Sequence, residues 1–268
     1  MKVEHLISCV SKDPRELAKQ MNLQTDALIV NQKSAYSYEE FTENGHRVRA
    51  FSMDEQGVGL SRNTAMQRSR GDIVLFGDED IVYAEGAAKV VADAFAAHPE
   101  ADLLLFNVEV SEERRTYWIT SETKVRLYNC GRYPAYAVAA RRESLQEANL
   151  SWHLWFGGGA RYSNGEDSLF LSDALKKGLK IIAVPEVIGR EIPRPSTWFT
   201  GYNEKFFYDR GVLYRYLYGG LAPVMACRWL LKGKHTMFGE ISFGKAKELM
   251  KEGIRRGGRN DEKKQRRA

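Results

Sequence analysis

Short apolar runs alternate with helical patterns through the first 110 positions of the chain. Residues 6–10, 27–30, 48–51, 73–76 and 103–110 each read as a brief buried strand. Between them, Asp13-Pro14 starts a helix over 15–21, with a capping carboxylate and a proline in the first turn. Helices are also expected over 60–69 and over 85–97, the latter Ala-rich with Val90, Val91 and Phe95 on one side and Pro99 beyond. Strands separated by helices predict an α/β fold with a mainly parallel sheet.

The pattern changes after residue 110. Residues 117–128 and 133–140 look extended, and 149–160 reads as an aromatic, glycine-rich loop. A helix over 168–177 closes on Gly178, and a strand over 180–184 stops at Pro185. Residues 213–231 are mostly apolar and aromatic, yet Arg215, Arg228, Pro223 and Gly219-Gly220 argue against a spanning helix. A helical hairpin packed on the domain and a helix lying in a membrane interface both fit. The expected organisation is a domain over 1–210, a helical appendage over 211–250, and a basic, disordered tail over 251–268.

Composition sharpens this picture in two places. The net charge of +5 resides wholly in residues 251–268, which hold eight Lys/Arg against three Asp/Glu. The 250 residues before them sum to zero, which argues against a basic nucleic-acid groove and leaves a tail suited to solvent or an anionic membrane. Cys9, Cys130 and Cys227 are far apart and form no CxxC, so neither a disulfide framework nor a structural zinc site is indicated. With no leader-like N-terminal segment, a reducing cytoplasm is expected, with contact at the inner membrane face as an option.

Candidate chemistry lies at the segment ends. Strand 73–76 delivers Asp78 and Asp80 beyond its C-terminal end, where α/β sheets bind ligands and where grouped carboxylates favour a cation. Gly57-Val-Gly59 leads into a helix opening with Ser61, Arg62 and Asn63, a setting that attracts phosphate. Glu166 and Asp167 begin another helix, whose dipole favours their ionised forms. A carboxylate held ionised in a cleft can take a proton from an attacking hydroxyl. Trp152, His153 and Trp155 precede Phe156-Gly-Gly-Gly-Ala160, so rings able to stack on a sugar or base stand beside a pliable turn. Each motif alone also has an ordinary explanation in capping and turn formation.

In order and spacing, these pieces resemble the small bacterial glycosyltransferases of family two. The resemblance spans about residues 4–210: a strand ending near Ser8, a second ending at Asn31, Gly59-Leu-Ser-Arg-Asn63, Gly77-Asp-Glu-Asp80, Phe156-Gly-Gly-Gly-Ala160, Gly165-Glu-Asp167 and Ser196-Thr-Trp-Phe199. It implies a GT-A fold, Rossmann-like, with a mixed, mainly parallel sheet flanked by helices. It also implies a nucleotide-sugar donor, UDP-linked in this reading, and a glycan or lipid-linked acceptor. The nucleotide side would comprise Ser8, Asn31, Arg62, Asn63, Asp78 and Glu79. Asp80, with Asp78, would hold a divalent metal, Mn²⁺ or Mg²⁺, on the pyrophosphate. Asp167 would be the general base of an inverting transfer, supported by Glu166, while Trp155, Gly157, Gly158, Gly159 and Trp198 would shape the sugar and acceptor side. Two departures stand out. Many relatives carry an acid where this chain has Asn31, and many supply a late histidine where this chain reads Gly189-Arg-Glu-Ile-Pro-Arg194. There, Glu191 would substitute, or water would complete the metal shell. The rival readings are a nucleotidyltransferase and a non-catalytic protein binding nucleotide sugar or nucleic acid.

Overall fold

The computed structural model describes residues 1–112, 115, 117–193, 201–233, 237–239 and 241–265. It divides into two compact units, the first comprising Met1–Leu154 and Glu166–Arg194, the second Trp155–Gly165 and Pro195–Ala268. Trp155–Gly165, which lies inside the stretch 1–210, groups with the second unit.

The first unit is built on one sheet. Its strands are β1 (Val3–Val10), β2 (Ala27–Gln32), β3 (Ser37–Glu43), β4 (His46–Met53), β5 (Ile73–Asp78), β6 (Ile81–Tyr83), β7 (Leu103–Glu109), β8 (Thr123–Lys124), β9 (Val138–Arg141) and β10 (Ile181–Glu191). The order is β3-β4-β2-β1-β5-β9-β7-β10-β6, with β8 also paired to β10. Strands β4, β2, β1 and β5 are mutually parallel, as are β7 and β10; β9 runs antiparallel between β5 and β7.

Alternation along β5 explains the layers. Ile73 and Leu75 join a core that includes Leu17 and Ala18 of α1 (Pro14–Gln20) and Val91 and Phe95 of α3 (Ala87–Ala97). Val74 and Phe76 face the opposite core, with Ala65 of α2 (Val58–Arg68), Leu145 of α4 (Arg142–Glu147) and Phe170, Leu171 and Ala174 of α5 (Glu166–Lys176). A strand covered on both faces reads as a continuous apolar run, which is why 73–76 shows no polar interruption. Burying a side chain such as Phe76 contributes about 1.5–3 kcal/mol.

The expected strands and helices of the first half are present, with shifted ends. Three differences have local causes. Strand β3 lies at the sheet edge with mostly exposed polar side chains, so apolar runs miss it. Its signal is Asn44-Gly45, both at positive φ, the pair that turns a tight hairpin into β4. The extended readings over 117–128 and 133–140 reduce to β8 and β9, because Asn129 folds back to accept from the Arg126 amide and short 3₁₀ turns follow at Cys130–Arg132 and Ala135–Ala137. Strand β10 does not stop at Pro185 but passes it through register shifts, a tolerated place for proline in a sheet.

The second unit is helical beyond residue 203. Helix α6 (Glu204–Tyr218) leads through a 3₁₀ turn to α7 (Ala222–Lys232), and α8 spans Phe243–Gln265. The basic stretch expected to be disordered therefore continues as helix to residue 265. Over its first part α8 packs backbone to backbone on α6: a Cβ on Gly253 would stand 2.2 Å from the Tyr208 carbonyl oxygen, and one on Gly211 2.3 Å from that of Met250. Among the described residues, no helix is long and apolar enough to cross a membrane.

Candidate active site

Arg62 organises the site within the first unit. Helix α2 starts at Val58, with Gly57 at φ +145° as its N-terminal residue, so Gly59 is helical rather than part of a flexible turn. A Cβ there would meet the His153 carbonyl oxygen at 2.6 Å, so glycine lets α2 approach the 150s segment. One turn on, Arg62 is buried at 3% exposure. Its Nη2 donates to Asp78 Oδ1 at 2.9 Å, while Nη1 lies 3.4 Å from Glu166 Oε1 and 3.5 Å from Asp167 Oδ1. The end of β5 and the first turn of α5, 88 residues apart in sequence, thus meet on one guanidinium.

Three carboxylates against one cation leave the cluster net negative. Burial opposes the Arg62 charge, but Asp78, Asp167 and Glu166 together hold its pKa above the usual arginine range. Asp167 is pushed well above the ordinary aspartate range, first by burial and then by the neighbouring Glu166 charge, with Arg62 pulling the other way. Asp167 therefore holds its proton more tightly than a surface carboxylate.

A platform supports the guanidinium. Its Cζ lies 4.6 Å from the centroid of the Trp152 ring, which stacks on Phe170 at 3.9 Å and 3° and meets Phe76 edge-on at 5.1 Å. Trp152 is itself gripped by Asn63, whose Oδ1 accepts from the Trp152 amide at 2.7 Å and whose Nδ2 donates to its carbonyl at 2.9 Å. By sequence Trp152 is only one of several loop aromatics. Its position directly before His153, whose carbonyl Gly59 approaches, gives no local sign of a partnership with Arg62.

Several predicted residues have structural commitments of their own. Asn31 spends its amide on the loop after β1, accepting from the Lys12 amide at 3.1 Å and donating to the Lys12 carbonyl at 2.8 Å. Ser8 accepts from the Ser61 hydroxyl at 2.9 Å, tying β1 to α2. Glu79 accepts from the Val10 amide at 2.8 Å. Asp80 is buried at 7% exposure, and its carbonyl accepts from the Ile192 amide at 2.7 Å. In the same ladder, Glu191, also buried, pairs with Ile81, so β10 brings the Glu191 position beside Asp80.

Among the described residues, no three His, Cys, Asp or Glu side chains form a metal cage. A hard cation needs less than that, since one or two carboxylates suffice when phosphate and water fill the shell. The Asp80 neighbourhood fits a shared site of this kind, not a closed protein one.

Trp155, Gly157, Gly158 and Gly159 belong to the second unit. There the glycine run forms a closed turn: the Gly157 amide donates to the Tyr162 carbonyl at 2.9 Å and the Tyr162 amide to the Trp155 carbonyl at 2.8 Å. Phe156 is buried against Tyr162 and Tyr216 at 4.9 and 5.3 Å. Trp198 and its motif lie outside the described residues.

Comparison with known proteins agrees with this architecture. Residues 15–160 match the model of Glycosyl transferase family 2. No curated protein matches the chain. Among solved structures, residues 1–349 of TarS from S. aureus, in complex with UDP-GlcNAc, align with a TM-score of 0.60 at 15% identity, covering 88% of this chain and 73% of that one. The mannosyltransferase PcManGT from Pyrobaculum calidifontis, in complex with GDP-Man and Mn²⁺, aligns with a TM-score of 0.51 at 12% identity, covering 96% and 86%. At such identities the likeness is one of fold, the GT-A arrangement of a mixed sheet between helices.

Proposed function

The chain belongs to glycosyl transferase family 2 and is a glycosyltransferase, and from that premise we propose an inverting transfer of a sugar from a UDP-sugar to a hydroxyl of a glycan or lipid-linked acceptor. The observation that carries this reading is the meeting of Asp78, Glu166 and Asp167 on Arg62 at the C-terminal end of β5. The nucleotide sugars bound by TarS and PcManGT support a donor of that class.

In this reading Asp167 takes the proton of the acceptor hydroxyl as its oxygen attacks the anomeric carbon. The nucleoside diphosphate departs from the opposite face, which inverts the configuration. Glu166 keeps the affinity of Asp167 for a proton high by its charge, and Arg62 stops the three carboxylates from forcing one another apart. A base so placed contributes about 10²–10⁴-fold in rate. Mn²⁺ or Mg²⁺ would sit at Asp80, with Asp78 two residues before it and Glu191 on the adjoining strand as further carboxylates, and would stabilise charge on the leaving diphosphate. Asn31 would shape the nucleotide side through the Lys12 loop it holds, and not by direct contact with the base.

Calorimetric titration of wild type and Asp80→Ala with UDP and UDP-sugars, with Mn²⁺ or with chelator, tests this. Metal-dependent UDP binding that weakens at least about tenfold in the variant is expected. Binding indifferent to both metal and Asp80 would remove the assigned metal role, and failure of every UDP compound would remove the donor.

A further inference from the structure

We propose that the outer face of α7 docks on an anionic membrane surface. The inner face of this helix is occupied: Ala222, Ala226 and Leu230 are buried, and Trp229 packs near Phe206, Phe207 and Tyr214 of α6. The outer face is open. Leu221, Val224 and Leu231 are 67%, 65% and 58% exposed, with Cys227 between them at helical spacing. Scattered exposed leucines are ordinary, but Val224 and Leu231 on one stripe of this 11-residue helix, with Leu221 immediately before its first turn, form a patch.

The chemistry around the stripe selects its occupant. Arg228 and Lys232 are exposed beside it. From residue 210 to 239 the sequence contains five Lys/Arg and no Asp or Glu, and from 219 to 233 no Ser, Thr, Asn or Gln either. A protein partner would meet a surface with almost nothing to hydrogen-bond, whereas protein interfaces carry about one hydrogen bond per 100–200 Å². A second copy docked through the same stripe by two-fold symmetry would bring like charges together. A bilayer with anionic headgroups asks for what is present: aliphatic groups to enter the acyl boundary and cations whose long stems reach the phosphates. The helix is too short to cross, so it lies in the surface plane. This inference stands apart from the donor chemistry, since neither Asp80 nor Arg62 contributes to it.

The test is co-sedimentation of the full chain with phosphatidylcholine vesicles, pure or containing about one third phosphatidylglycerol. It is run for wild type, Arg228→Glu/Lys232→Glu and Val224→Ser/Leu231→Ser. Binding to the anionic vesicles only, lost at about 0.5 M salt, is expected. The charge variant should bind about 25-fold or more weakly, given the contribution of each cation near such a surface, and the apolar variant at least about tenfold more weakly. A polarity-sensitive dye on Cys227 of the otherwise unaltered chain gives a second readout, because Cys9 and Cys130 are buried. Its emission should shift to the blue with anionic vesicles alone. No binding at low salt overturns the proposal. So does binding that the apolar variant leaves unchanged, or a vesicle-free dimer that this variant dissolves, which would assign the stripe to a second copy.

Discussion

The Arg62 guanidinium rests on the face of Trp152, 4.6 Å from the ring centroid, at the point where it bridges three carboxylates. The indole gives the buried cation an electron-rich floor that makes no demand on its hydrogen-bond donors, which are left for the acids.

Replacing Trp152 by Leu removes that floor while keeping an apolar side chain. A desolvated cation–π contact of about 2 kcal/mol corresponds to a loss of about thirtyfold in kcat/KM, with Trp152→Phe retaining most of the activity. Donor binding by calorimetry should change less than kcat. An unchanged kcat in Trp152→Leu would show that the platform does not position Arg62.

Asn63 separates two readings of one residue. As a nucleotide contact it would affect donor affinity first. As the clamp on the Trp152 backbone, Asn63→Ala should cost about 1–3 kcal/mol in unfolding free energy, from two lost hydrogen bonds with partly buried groups. The structure favours the second, so denaturant midpoint and kcat should fall while the donor Kd holds.

With Asp167 as the proposed base, its raised pKa makes stability and activity run in opposite directions with pH. Between the ordinary aspartate pKa and the higher native one, the folded protein binds more protons than the unfolded chain, so stability falls as pH rises through that window. Asp167→Asn should abolish this fall and be more stable than wild type at neutral pH, while nearly inactive. Because Arg62 opposes the rise, Arg62→Met should move the acid limb of the kcat profile to higher pH. Superimposable melting curves for Asp167→Asn and wild type across pH 4–8 would contradict the assignment.

His5 supplies an opposite dependence away from the site. Burial, helped by His46, lowers its pKa to about 3, and its ring lies 4.1 Å from that of Tyr83 with neither ring nitrogen partnered among the described residues. The unfolded chain therefore takes up a proton that the native protein refuses, and stability is lost as pH falls from about 6.5 towards 3, by up to about 1.4 kcal/mol per pH unit. His5→Phe should flatten this acid limb of the melting-temperature profile. A slope unaltered by that substitution would locate the acid sensitivity elsewhere.

Much of this protein is legible in one dimension. The doubly buried strands announce themselves as unbroken apolar runs, Asp13-Pro14 does start a helix, and the carboxylates at the ends of β5 and α5 can be picked out because strand ends and helix starts are local features. Edge strand β3 has no apolar run because one face is exposed and the other is only half-buried around Phe41, although Asn44-Gly45 marks its turn. What the tertiary structure decided is which side chains spend their polar atoms on one another. Asn31 and Asn63 look alike in sequence to ligand-facing residues, yet each amide is used up on backbone far along the chain. Arg62 could have faced a phosphate by local reasoning alone, but folding surrounds it with acids 16, 104 and 105 residues away and sets an indole beneath it. Periodicity and capping act within a few residues and can be read from the chain. Charge balance and proton affinity depend on distances that exist only after the sheet has closed.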